Sequence, residues 1–118
     1  MGQPIIWACG GENCADAGGW RAEQRAEALR ALHERCTAHG VALQVTGCLD
    51  QCDDGPIVVA RPPEGTHRWF GLMGDPETAS ALADAAADDA LEPEALPSGL
   101  GRRRLPHRDG RRPRSKRR

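Results

Sequence analysis

The chain has no tyrosine, a single phenylalanine and only three tryptophans among its 118 residues. No aromatic residue follows Phe70. The C-terminal stretch therefore has nothing with which to stack nucleic-acid bases. Long hydrophobic runs are also missing. No stretch approaches the roughly 18 apolar residues of a membrane-spanning helix. The apolar run at residues 4–9 has no charged segment before it and is too short for a secretory leader. Ile6 stands where a myristoylation signal after Gly2 would need Ser or Thr. No internal repeat, phosphate-binding loop or nucleophile–base pair beside the cysteines is visible, so the residues do not read as an enzyme. These absences point to a cytoplasmic protein with no membrane association. In such a reducing compartment, five cysteines serve metal or redox chemistry more readily than structural disulfides.

What is present is unevenly distributed. Hydrophobic residues make up 39% of the chain, slightly low for a packed domain, and residues 102–118 account for the shortfall. That stretch carries nine arginines and one lysine against Asp109, while the rest of the chain carries six arginines against 16 acidic residues. The net charge of −1 thus conceals an acidic body and a polycationic tail. The expected organisation is a folded domain over residues 1–91, a Pro- and Gly-containing linker over 92–101 and a disordered Arg-rich tail over 102–118. Body and tail would attract each other at low salt, with the attraction screened over about 10 Å at 0.1 M. The tail could also hold nucleic acid nonspecifically through phosphates, but disorder is the favoured reading.

Hydrophobic periodicity places a strand at residues 4–9, a Gly-rich loop at 10–19 and an amphipathic helix at 20–39. The helix carries Ala22, Ala26, Leu29, Leu32 and Cys36 on its apolar face and stops at Gly40. A second strand covers 41–45, a second loop 46–55, a third β-branched strand 57–60 and a fourth strand 68–73. Asp75-Pro76-Glu77 opens a last helix running to about residue 90, with Ala79, Leu82, Ala83 and Ala86 facing inward. The order β-α-β-β-β-α predicts an α/β fold, a single sheet covered by two helices.

Four of the five cysteines belong to the two loops, Cys9 at the strand end that opens the first of them. Cys9 and Cys14 enclose four residues, and Cys48 and Cys52 enclose three. Two such pairs supply four thiolates, enough for a [2Fe–2S] cluster or for a zinc ion. Spacing alone leaves iron–sulfur and zinc both open. Neither pair has the two-residue gap usual in thiol–disulfide enzymes. Gly10, Gly11, Gly47 and Gly55 would let backbone N–H groups approach the sulfurs.

The run T-G-C-L-D-Q-C-D-D-G-P-I-V-V, residues 46–59, resembles the second cysteine loop of the thioredoxin-like [2Fe–2S] ferredoxins. This family is related to the small cluster-binding subunit of NADH dehydrogenase. The likeness continues through the Pro62–Gly65 turn to Trp69-Phe70-Gly71 and Asp75-Pro76-Glu77, and the Cys9-x4-Cys14 spacing is similar too. It implies a thioredoxin-like four-stranded mixed sheet and a [2Fe–2S] cluster on Cys9, Cys14, Cys48 and Cys52. It also implies single-electron transfer to a redox protein partner, and a homodimer as in many free-standing members. The alternative is a zinc-binding or cluster-sensing or storage module that uses the same four cysteines without electron transfer.

Several residues depart from the family pattern or carry other readings. Asp50 stands between the second cysteines where relatives often have a small residue, and Phe70 replaces the usual tyrosine. The first strand begins at Pro4 without a preceding helical region, which points to a free-standing carrier and not a respiratory subunit. Cys36 reads as a core residue and not a fifth ligand. His33 and His39 read as solvent-facing or helix-end residues, and His67 and His107 as loop and tail residues. Trp7 and Trp69 read as core or dimer-contact residues, and Trp20 as a shield beside the first cysteine loop.

Overall fold

The computed structural model describes residues 3–9, 22–46, 57–63, 65–71, 73 and 75–113. Four strands form one mixed sheet: β1 (Ile5–Cys9), β2 (Ala42–Thr46), β3 (Val58–Arg61) and β4 (Arg68–Phe70), in the order β2-β1-β3-β4. β1 and β2 run parallel and are joined through helix α1 (Ala22–His39). β3 is antiparallel to β1, and β4 to β3. Helix α2 (Pro76–Ala87) follows β4. Each strand falls within two or three residues of its expected position.

Side-chain alternation divides the sheet into two faces. Ile6, Ala8, Val58, Ala60 and Phe70 pack with both helices in the main core. The inward stripe of α1 is Ala28, Leu32 and Cys36, four residues apart, with Leu29 partly buried beside it. Ala26, expected on this face, is exposed, because the stripe that meets α2 lies part of a turn away from it. Helix α2 is more regular: Ala79, Leu82, Ala83, Ala85 and Ala86 are all buried, and their small side chains seat one helix closely on the other. Across the top of that contact, Asp84 Oδ1 receives His39 Nε2 at 2.8 Å and lies 3.6 Å from Arg35 Nε. Thus His39 has an acidic partner on α2.

Helix ends follow local chemistry. Gly40 adopts φ +71 after α1, a conformation that costs a side-chain-bearing residue energy, and Val41 N–H returns to the Cys36 carbonyl at 2.9 Å. Asp75 caps α2, accepting from Thr78 N at 3.0 Å and Thr78 Oγ1 at 2.6 Å. Arg103 Nη1 reaches Asp75 Oδ1 at 2.6 Å. Burial alone would raise the Asp75 pKa, but the hydrogen bonds from Thr78 and Arg103 outweigh it and hold the carboxyl below its ordinary value. α2 ends at Ala87, short of the expected residue 90, where Asp89 turns left-handed with φ 56.

The largest correction concerns the C-terminal quarter. Residues 92–113 are not a linker and disordered tail. They form a strap built from the 3-10 turn Pro93–Ala95, the helical turn Ser98–Gly101 and the 3-10 turn Pro106–Arg108. Leu91 and Leu100 enter the main core. Backbone pairing then seals the edge strand: Gly71 N–H donates to the Arg103 carbonyl at 2.8 Å, and Leu105 N–H to the Trp69 carbonyl at 2.7 Å. Pairing of this kind satisfies the free edge of β4. The second face of the sheet, Ile57, Val59 and Trp69, is covered with help from Leu105 and Trp7. The Trp69 indole donates to the Arg111 carbonyl at 2.9 Å, and the Arg108 guanidinium lies 4.3 Å from the Trp69 ring centroid. Composition alone suggested disorder because arginines dominate the strap. Part of their charge is instead met by carboxylates: Arg103 pairs with Asp75 and Arg104 with Asp109, while Asp109 and Glu92 of the strap also take Arg68 of β4, at 2.8 and 2.9 Å. Residues 114–118 lie outside the described residues.

Candidate metal centre at the end of the sheet

The parallel pairing of β1 and β2 sets the geometry of the candidate site. Cys9 is the last residue of β1 and stands in register with Thr46, the last residue of β2. Thr46 Oγ1 also donates to the Ala8 carbonyl at 3.4 Å, tying the two strand ends together. Cys48 follows Thr46 by two positions in the chain, and Cys14 follows Cys9 by five. Both cysteine-bearing segments therefore leave the sheet at the same end and from adjacent strands.

The return path matters as much. Segment 47–56 starts from β2 and rejoins the sheet at Ile57, next to Val58 of β3. β1 lies between β2 and β3. The two anchors of this segment are thus two strand spacings apart, roughly 10 Å, with the end of Cys9's strand between them. These anchors therefore flank the strand end from which the first cysteine pair departs. Cys14, Cys48 and Cys52 themselves lie outside the described residues, as do Trp20 and Asp50. Among the described residues, no group of three or more His, Cys, Asp or Glu side chains is arranged to hold a metal.

One feature of the described frame suits a negatively charged centre. Helix α1 returns from the Cys9 end to the opposite one, so its N-terminal end, with the positive end of the helix dipole, belongs to the Cys9 end. At the far end, Cys36 is 1% exposed in the core and its carbonyl accepts from Val41, while Ala42 N–H donates to Pro4. Cys36 therefore sits by the start of β1 and β2, a strand length of roughly 15 Å from the Cys9 end. Burial pushes its thiol up to about 11, so it is protonated at neutral pH. Both position and protonation agree with its reading as a core residue.

Sequence reasoning missed the strap and its acidic pivot, Asp109. The available signal was the spacing of Leu91, Leu96, Leu100 and Leu105, which recur through the presumed linker and tail.

Neither a protein-family model nor a curated protein sequence matches the chain. Solved structures do. The wild-type thioredoxin-like [2Fe–2S] ferredoxin from Aquifex aeolicus aligns with a TM-score of 0.58 at 19% identity, covering 89% of this chain and 98% of that one. A second structure of a thioredoxin-like [2Fe–2S] ferredoxin from the same organism aligns at 0.57 and 22% identity, covering 96% and 97%. A cysteine-to-serine variant of the Aquifex aeolicus protein aligns at 0.55 and 20% identity, covering 79% and 95%. The chain therefore has the thioredoxin-like α/β fold that residues 46–71 led us to expect.

Proposed function

We propose that this chain binds a [2Fe–2S] cluster through Cys9, Cys14, Cys48 and Cys52 and carries single electrons between protein partners. One observation carries the reading: β1 lies between β2 and β3, so the strands that flank the segment bearing Cys48 and Cys52 stand on either side of the strand end that carries Cys9. The likeness of fold to [2Fe–2S] ferredoxins supports iron over zinc. When bound, such a cluster supplies one-electron redox chemistry. The four thiolates would hold it, and α1's N-terminal end would favour their negative charge. Outside the strap and tail the chain is acidic, which would steer it toward a basic patch on a redox partner. Among the described residues no helix is long and apolar enough to cross a membrane.

The deciding measurement is spectroscopic. Protein purified in air should absorb in the visible and, after one-electron reduction, give an electron paramagnetic resonance signal. Colourless protein carrying stoichiometric zinc would defeat the proposal and support the zinc-module reading.

Asp50 provides a finer test. A carboxylate between two cluster ligands opposes the added negative charge of reduction. Asp50→Gly should raise the reduction potential in a redox titration, and an unchanged or lower potential would show that the carboxylate does not act on the centre.

A further inference from the structure

The strap does more than cover the sheet. Where it ends, residues Trp7, Arg61, His67, Arg112 and Pro113 line a cleft of about 340 Å³. Among the described residues, every ionisable group in this lining is basic. Several neighbouring arginines do find carboxylates: Arg103 meets Asp75, Arg104 and Arg68 share Asp109, and Arg68 also meets Glu92. Arg61 and Arg112 form no ion pair among the described residues, and Arg61 Nε is buried without a hydrogen-bond partner among them. The cleft thus brings two guanidiniums together with no carboxylate partner among the described residues.

The imidazole and the two guanidiniums feel one another. Burial lowers the His67 pKa, and the charges of Arg61 and then Arg112 lower it further. Two guanidiniums held near an imidazole, with no carboxylate among the described residues to offset them, repel one another unless an anion enters. Guanidinium forks match the oxygens of phosphate and carboxylate groups. The other walls are apolar and flat. Trp7 lies with its ring centroid 5.4 Å from that of His67, and Pro113 closes the side. The volume is at the lower end of the roughly 300–1,000 Å³ range of small-molecule sites, larger than a free phosphate needs.

We propose that this cleft binds a small phosphomonoester, with Arg61, Arg112 and His67 holding the phosphate and Trp7 and Pro113 receiving a planar organic part. The site lies on the β3 and strap side of the sheet and does not depend on the cluster proposal. An anion here would neutralise the charge repulsion beneath the end of the strap and so favour its docked arrangement.

Calorimetric titration of the full-length protein with adenosine 5′-monophosphate, and separately with inorganic phosphate, tests the proposal. One saturable site is expected, with the nucleotide bound more tightly than phosphate. Arg112→Gln should weaken nucleotide binding roughly tenfold, the worth of a lost charge-assisted contact, and Arg61→Gln should do the same. Arg112 is exposed, so its variant remains informative even if the change at the end of β3 impairs folding. Neutralising Arg114, Arg117 and Arg118 together should leave the affinity unchanged. The proposal is overturned if neither ligand saturates, if phosphate binds as tightly as the nucleotide, or if the triple variant loses binding while Arg112→Gln keeps it.

Discussion

Cys48→Ala is expected to yield protein without the visible absorption of an iron–sulfur centre, whereas Cys36→Ala should keep it. Alanine offers no ligand atom, so three thiolates would remain where four are needed. The contrast between the two cysteines follows from topology. Cys48 is two positions from the end of β2, beside the end of β1 that carries Cys9. Cys36 lies in the main core by the opposite ends of those strands, and its buried thiol stays protonated. It is neither near enough nor ionised enough to replace a lost ligand. Iron and sulfide content measured beside the absorption spectrum would check the result. A fully coloured Cys48→Ala protein would remove Cys48 from the ligand set, and a colourless Cys36→Ala protein would overturn the division between core and ligand cysteines.

Truncation after Gly101 should destabilise the fold by roughly 2–4 kcal/mol, about the value of uncovering one large aromatic side chain together with breaking partly buried ion pairs. Trp69 is 1% exposed in the intact chain. Its cover comes from Leu105, the Arg108 guanidinium and the Arg111 carbonyl, all of which the truncation removes. The cut also frees the edge of β4 by removing its pairing with Arg103 and Leu105. An apolar face beside an open strand edge invites self-association. Denaturant unfolding followed by circular dichroism, with light scattering for mass, is the measurement. Asp109→Ala should reproduce part of the loss by leaving Arg68 and Arg104 close together without their shared carboxylate. Unchanged stability in both variants would mean that the strap does not hold the sheet.

The contrast between the strap and the rest of the chain shows what a sequence reveals. The strands and helices were legible because each has a local signature. β-branched runs mark β3, an Asp-Pro pair opens α2 and Gly40 ends α1. Alanines and leucine at three- and four-residue steps named nearly the whole inner face of α2. The stripe of α1 was less legible because alanines occur all round that helix, and only the position of α2 decides which of them are buried. The strap was hidden for a related reason. Its arginines look like a solvated tail until the fold brings Asp75 to Arg103 and sets Asp109, beside Arg104, against Arg68 of β4.

The two cysteine pairs, their loops and their capacity for a four-thiolate centre are properties of the sequence alone, because ligand chemistry and loop-forming glycines are local facts. The order of strands is not. Tertiary structure alone places β1 between β2 and β3, and thereby sets the anchors of the second pair's segment on either side of the strand end that bears Cys9. It alone separates Cys36 from that end by the length of the sheet. It also turns the basic C-terminus from a tail into a strap, because ion pairs and buried leucines depend on which distant residues the fold makes neighbours.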